Sequence, residues 1–155
     1  MMEMSYDCGL EDLAQRVAGL CRYKGTPSNQ RFDGELVYLA DESIEVLGSS
    51  SIILSRAADS WWDQIYENGI NEEMLYSPYF EKRTNSPTSF TQMAWATTSK
   101  IGCDIAECRS KAFVVCRYSA KGNIPGEYVW QVGPPCSNCT YGCSSSSQYL
   151  CANSA

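Results

Sequence analysis

Nine cysteines in 155 residues constrain this chain more than any other feature. Four of them, Cys136, Cys139, Cys143 and Cys151, follow Gly133-Pro134-Pro135 and sit among Ser, Asn, Thr and Gly. So short a segment cannot bury a core of its own, so disulfides or a metal must order it. Zinc needs four thiolates in tetrahedral reach, and the Cys136-x-x-Cys139 spacing allows that. Cys151, however, stands alone beyond a run of four serines, which is unlike paired zinc knuckles. Disulfides are the better reading, and four cysteines allow three pairings. Cys103 and Cys116 lie in neighbouring predicted strands, a geometry a bridge can span. In the chain-entropy model that bridge contributes about 3 kcal/mol. Nine is odd, so pairing within the chain leaves one thiol over.

The cysteines imply an oxidising compartment. The start, Met1-Met2-Glu3-Met4, lacks the basic region and apolar core of an export signal. The chain is therefore read as a mature form, a fragment or an incomplete gene product. It contains no histidine, which excludes Ser-His and Cys-His catalysis, His-ligated zinc and an imidazole switch. Twelve basic and 18 acidic residues give a net charge of −6, which argues against a nucleic-acid surface. No apolar run approaches the roughly 20 residues of a membrane span. With 44% hydrophobic and 19% charged residues, the composition is globular.

The first part of the chain, Asp7 to about Ile70, reads mainly helical. Leu10, Leu13, Val17, Leu20 and Cys21 share one helical face, with Asp7 as its cap. Gly25-Thr26-Pro27-Ser28-Asn29 reads as a loop. A second helix is expected from about Ser51 to Tyr66, stopped by Gly69. Residues 71–89 look irregular. Ile101–Ile105, Ala112–Tyr118 and Tyr128–Val132 carry strand signals, with Ser119–Gly126 as the turn between the last two. The pattern predicts an antiparallel sheet packed on helices. Trp61, Trp95 and Trp130 are expected in the core and Trp62 at the surface. Asp41, Glu42, Glu45, Glu67, Glu72, Glu73 and Glu81 read as solvated loop surface.

Phe90-Thr91-Gln92-Met93-Ala94-Trp95-Ala96-Thr97-Thr98 resembles the first signature of the CAP superfamily, the cysteine-rich secretory, antigen 5 and pathogenesis-related 1 proteins. Phe113 to Ile124 looks like the second. Tyr6-Asp7-Cys8-Gly9-Leu10-Glu11 and Gly133-Pro134-Pro135-Cys136 are similar to the nematode branch, the Ancylostoma-secreted and venom-allergen-like proteins. The resemblance implies an α+β fold, an α/β/α sandwich around an antiparallel sheet (residues 1–132), followed by a disulfide-rich hinge (133–155). It also implies bridges Cys21–Cys108, Cys103–Cys116, Cys136–Cys143 and Cys139–Cys151, leaving Cys8 unpaired. Family members begin with a helix upstream of Tyr-Asp-Cys. Five residues precede Tyr6 here, so a sandwich lacking that helix, with apolar surface bared, is expected.

Family members carry a cleft lined by two histidines and two glutamates, and in some the histidines hold a divalent metal. Mapped onto this chain, those positions are Gly25, Glu35, Gln64 and Ser89. Glycine offers no donor and serine a poor one, so no metal and no cofactor are expected here. Glu35 could serve as a base for Ser89 only within hydrogen-bond reach. The resemblance thus implies a secreted, extracellular, non-enzymatic protein of nematode type that binds an extracellular, host-directed protein partner. A carrier of lipid, sterol or another small ligand is the alternative. Asn138-Cys139-Thr140 fits a glycosylation sequon.

Overall fold

The computed structural model describes residues 1–153, so Ser154 and Ala155 of the expected hinge lie outside the described residues. Its centre is strand β5 (Ala112–Ser119), buried without interruption from Ala112 to Tyr118. Both edges of β5 are paired antiparallel, one with β2 (Gly34–Leu39) and the other with β4 (Lys100–Glu107). A two-residue strand, β1 (Ser5–Tyr6), adds to β4 in parallel, giving the order β1-β4-β5-β2.

Successive side chains of β5 point to opposite faces. Phe113 and Val115 pack with Ala14 and Ala18 of helix α1 (Cys8–Gly19). Val114, Cys116 and Tyr118 pack with Ile53, Ala57 and Trp61 of helix α3 (Ser50–Trp62). A strand covered on both faces favours apolar residues on both, which is why Ala112–Cys116 shows no polar alternation and Arg117 stands out. The result is an α/β/α sandwich, as the sequence implies.

Helix α1 starts where the Asp7 side chain accepts a hydrogen bond from the Leu10 amide at 3.0 Å. It lies directly on β4. A Cβ on Gly102 would come within 2.3 Å of the Glu11 nitrogen, so only glycine permits this approach. Close approach also selects the buried face. Leu10, Ala14 and Ala18 are buried, whereas Leu13 and Leu20 are exposed, correcting the expected stripe. Small side chains, not the larger leucines, allow the helix backbone to reach the sheet.

The chain departs from the sequence reading elsewhere too. The region expected to be mainly helical contains β2, whose Leu36 and Tyr38 pack with α3. The second helix breaks at Asp63 into α3 and the short α4 (Gln64–Asn68). A four-residue helix, α2 (Ile44–Leu47), precedes them. The segment taken as irregular holds β3 (Leu75–Tyr76), α5 (Pro78–Lys82) and the start of α6 (Thr88–Met93). The expected strand Tyr128–Val132 shrinks to β6 (Glu127–Tyr128), which pairs with β3 and not with β5. With both edges of β5 taken, that strand has no ladder open to it. Val129 instead joins a separate core with Tyr76, Phe80, Phe90 and Trp95.

The four disulfides join Cys21–Cys108, Cys103–Cys116, Cys136–Cys143 and Cys139–Cys151. Cys103 and Cys116 are directly opposed in the β4–β5 register. Cys8 is a free, exposed thiol. The tail is tied to the chain start through Cys151, whose amide donates to the Met1 carbonyl at 2.8 Å. Among the described residues no helix is long and apolar enough to cross a membrane.

Candidate functional site

Pairing β2 with β5 sets Glu35 opposite Arg117. The side chains of Glu35 and Arg117 are 2% and 7% exposed, so these charges are out of water and require partners. Arg117 supplies them. Its Nη1 donates to Glu35 Oε2, while Nε and Nη2 grip Asp33 as a two-pronged fork at 2.8 and 2.7 Å. The other Glu35 oxygen, Oε1, accepts the Thr26 amide at 2.5 Å.

Gly25 lies against this pair. Its φ is +67°, a conformation that disfavours side chains, and a Cβ there would sit 2.3 Å from Glu35 Oε1. The carboxylate occupies the space a side chain at position 25 would need. Arg31 closes the loop by donating to the Thr26 carbonyl at 3.1 Å and the Asp33 carbonyl at 2.6 Å. Burial pulls the Arg31 guanidinium below its usual range, and the Glu35 charge partly offsets this.

Gln64 and Ser89 form a second pair. Gln64 Oε1 accepts the Ser89 backbone amide at 3.1 Å, so the Gln64 side chain bonds the first turn of α6. No hydrogen bond among the described residues joins this pair to Glu35, nor the Ser89 hydroxyl to a base. Gly25 and Glu35 are thus brought together, as are Gln64 and Ser89, but the two pairs are not linked.

Three residues outside the mapped tetrad organise the centre. Asp33 and Arg117 form the ion cluster. Arg117 carries a legible signal, because a charged residue inside an otherwise apolar strand must find a buried partner. Gln92, only 3% exposed, locks α6 to the loop after β5. Its Oε1 accepts the Gly122 amide at 2.9 Å, and its Nε2 donates to the Thr98 hydroxyl at 3.3 Å. Thr91 and Asn123 add a 2.6 Å bond, so the two sequence signatures interlock here.

Two grooves lie away from this centre. One, of about 500 Å³, is bordered by Asn68, Glu73, Tyr79 and Arg83. The other, of about 650 Å³, runs between the tail and the sandwich, with Trp130, Tyr128, Pro134, Pro135 and Tyr149 in its walls. None of the four tetrad positions lines either groove. Trp61 and Trp95 are buried, Trp130 is half-buried and Trp62 reaches the surface. Asn138 is exposed beside the second groove, and its side-chain amide donates to Gln131 at 2.7 Å.

Residues 1–118 match the family model described as CAP, the cysteine-rich secretory protein family. The chain belongs to the CAP family. It is 30% identical to Ancylostoma secreted protein of Ancylostoma caninum over 98% of its own length and 36% of the relative's. It is 31% identical to hookworm platelet inhibitor 1 of the same organism, over 90% of this chain and 61% of that one. The CAP chain therefore spans roughly one to two thirds of the length of these relatives. Among solved structures, that of NaASP2 with Zn2+ superposes with a TM-score of 0.83 at 28% identity, covering 97% of this chain and 76% of that one.

A structure with zinc in this fold raises the question of fit, and the donor set here does not suit a divalent ion. Gly25 has no ligand atom, Gln64 is spent on a backbone amide, and both Glu35 oxygens are occupied. Among the described residues no three His, Cys, Asp or Glu side chains converge as a ligand group.

Proposed function

We propose that this CAP protein is exported and acts outside the cell by binding a protein partner, without catalysis. The observation that carries the non-catalytic part of the reading is the state of Glu35. A general base must lie within reach of the proton it takes, and the Glu35 side chain is only 2% exposed. Both Glu35 oxygens are also engaged, by the Thr26 amide and the Arg117 guanidinium. Ser89 and Gln64 offer no imidazole, thiolate or free carboxylate to replace it. Four disulfides within 155 residues support an oxidising destination. The names of two relatives, a secreted protein and a platelet inhibitor, support extracellular work on a cell or its proteins.

The exposed acidic residues Asp41, Glu42, Glu72 and Glu73 of the loops, with Glu45 on α2, suit a basic partner surface. A second reading, a carrier of lipid or another small apolar ligand, is favoured by the groove beside the tail. Its 650 Å³ lies within the range of small-molecule sites.

One set of measurements on the disulfide-intact chain separates these readings. Platelet adhesion and aggregation are recorded with and without the protein, alongside native mass spectrometry and turnover of ester and peptide substrates. The protein-binding reading expects a saturable effect on platelets and a ligand-free mass. Stoichiometric co-purified lipid would establish the carrier instead. Turnover abolished by Glu35→Gln would overturn the non-catalytic reading.

A further inference from the structure

Beside Gly25, one of the two positions whose histidines hold a metal in some family members, lie two largely buried carboxylates, and what holds them is on this chain. Asp33 and Glu35 are 12% and 2% exposed, and both contact one guanidinium. We infer that Arg117 is the built-in cation of this centre: it bridges Asp33 and Glu35 as a metal ion would, with Arg31 beside them as the second positive charge, and fixes the loop from Gly25 to Asp33 to the sheet without metal.

Three features converge on this. First, the register delivers Arg117 to Glu35 from the neighbouring strand, so the pair is set by the ladder and not by flexible loops. Second, the guanidinium is a planar fork that satisfies two carboxylates at once, which a lysine point charge does not. Third, Gly25 leaves the space that Glu35 Oε1 fills, and the neighbouring Thr26 amide binds that oxygen. The missing side chain at position 25 and the arginine at 117 thus belong to one arrangement. A histidine at 25 would displace the carboxylate, and a metal at Glu35 would have to displace Arg117.

Removing the arginine should therefore create a cation site. Arg117→Gln leaves two buried carboxylates with oxygen donors suited to manganese(II). Arg31 stays close enough to weaken that site, so binding is expected only at millimolar ion. Thermal melts of the intact protein and its variants, with and without millimolar manganese(II), provide the test. Arg117→Gln should lower the melting temperature by roughly 10 °C, and manganese(II) near its dissociation constant should return about 1–2 °C of that loss, rising further as the ion concentration is raised. Arg117→Lys, which keeps the charge but not the fork, should fall in between. The unaltered protein should not respond to the ion.

A variant as stable as the parent, or one that manganese(II) does not rescue, overturns the inference. So does an equal rise in the parent and the variant. The unaltered protein gives a second check, independent of whether the variant folds. In a titration followed by the electron paramagnetic resonance of free manganese(II), it should leave the ion free. A submillimolar site that Glu35→Gln abolishes would show that Arg117 does not stand in for the cation.

Discussion

The bridge between Cys21 and Cys108 should be the most important of the four to stability. It spans 87 residues of sequence and joins the end of helix α1 to the turn between β4 and β5. Cross-linking acts largely by restricting the unfolded chain, and the restriction grows with the logarithm of the loop length. For a loop this long the chain-entropy model gives about 4.5 kcal/mol, against about 3 kcal/mol for separations of 12 or 13 residues. Cys103–Cys116, separated by 13, closes a hairpin whose two strands the ladder already holds in register. Removing Cys21 and Cys108 as an alanine pair should lower the melting temperature by roughly 10–15 °C. Removing Cys103 and Cys116 should cost clearly less. Both variants belong in a Cys8→Ala background, because Cys8 is a free exposed thiol that can exchange with the bridges. Guanidinium unfolding followed by circular dichroism, without reductant, gives the two free energies. Equal losses, or a larger loss for the hairpin pair, would refute the loop-length reasoning.

Two further outcomes follow from single side chains. The Tyr118 hydroxyl is buried with no hydrogen-bond partner among the described residues, and burial also pushes its pKa up. Tyr118→Phe should therefore be neutral or stabilise by about 1 kcal/mol in a denaturant titration; a loss of that size would mean that the hydroxyl has a partner. The Asp7 carboxyl is held below its ordinary pKa first by the Leu10 amide and then by Lys100. Because the folded pKa is the lower one, its contribution is present above the ordinary aspartate range and is lost as pH falls through the folded value. Melting temperatures from neutral pH to acid should show Asp7→Ala weakest relative to the parent at neutral pH, with the gap closing in acid. A gap that is constant across pH would remove the charged cap as its cause.

Much of the fold was legible because local rules and tertiary packing agreed. Asp7 caps α1 as its chemistry predicts, and the apolar runs around Ile101 and Val114 became the paired strands β4 and β5. Where they disagreed, the reason is visible. Leu13 and Leu20 satisfy helical periodicity as well as Ala14 and Ala18 do. Periodicity does not measure how near a backbone can come, and Gly102 decides that here. Residues Gly34–Leu39 became a strand because β5 offered an open edge, which lies far away in sequence. The candidate centre was legible only as positions. The spacing of Gly25, Glu35, Gln64 and Ser89 does not say which of them meet; the strand register and the α6 packing do.

By itself, the chain's sequence determined the family, the sandwich and the loss of both imidazoles, because signatures, cysteines and the absence of histidine are properties of composition and spacing. Only the tertiary structure decided what became of the remaining glutamate. Strand register carried Arg117 to Glu35 across 82 residues, the loop returned Asp33 to the same guanidinium, and Gly25 left room for the carboxylate. A buried charge is stable only beside its partner, and that partner is set by which strands lie side by side, a relation that no local stretch of sequence contains.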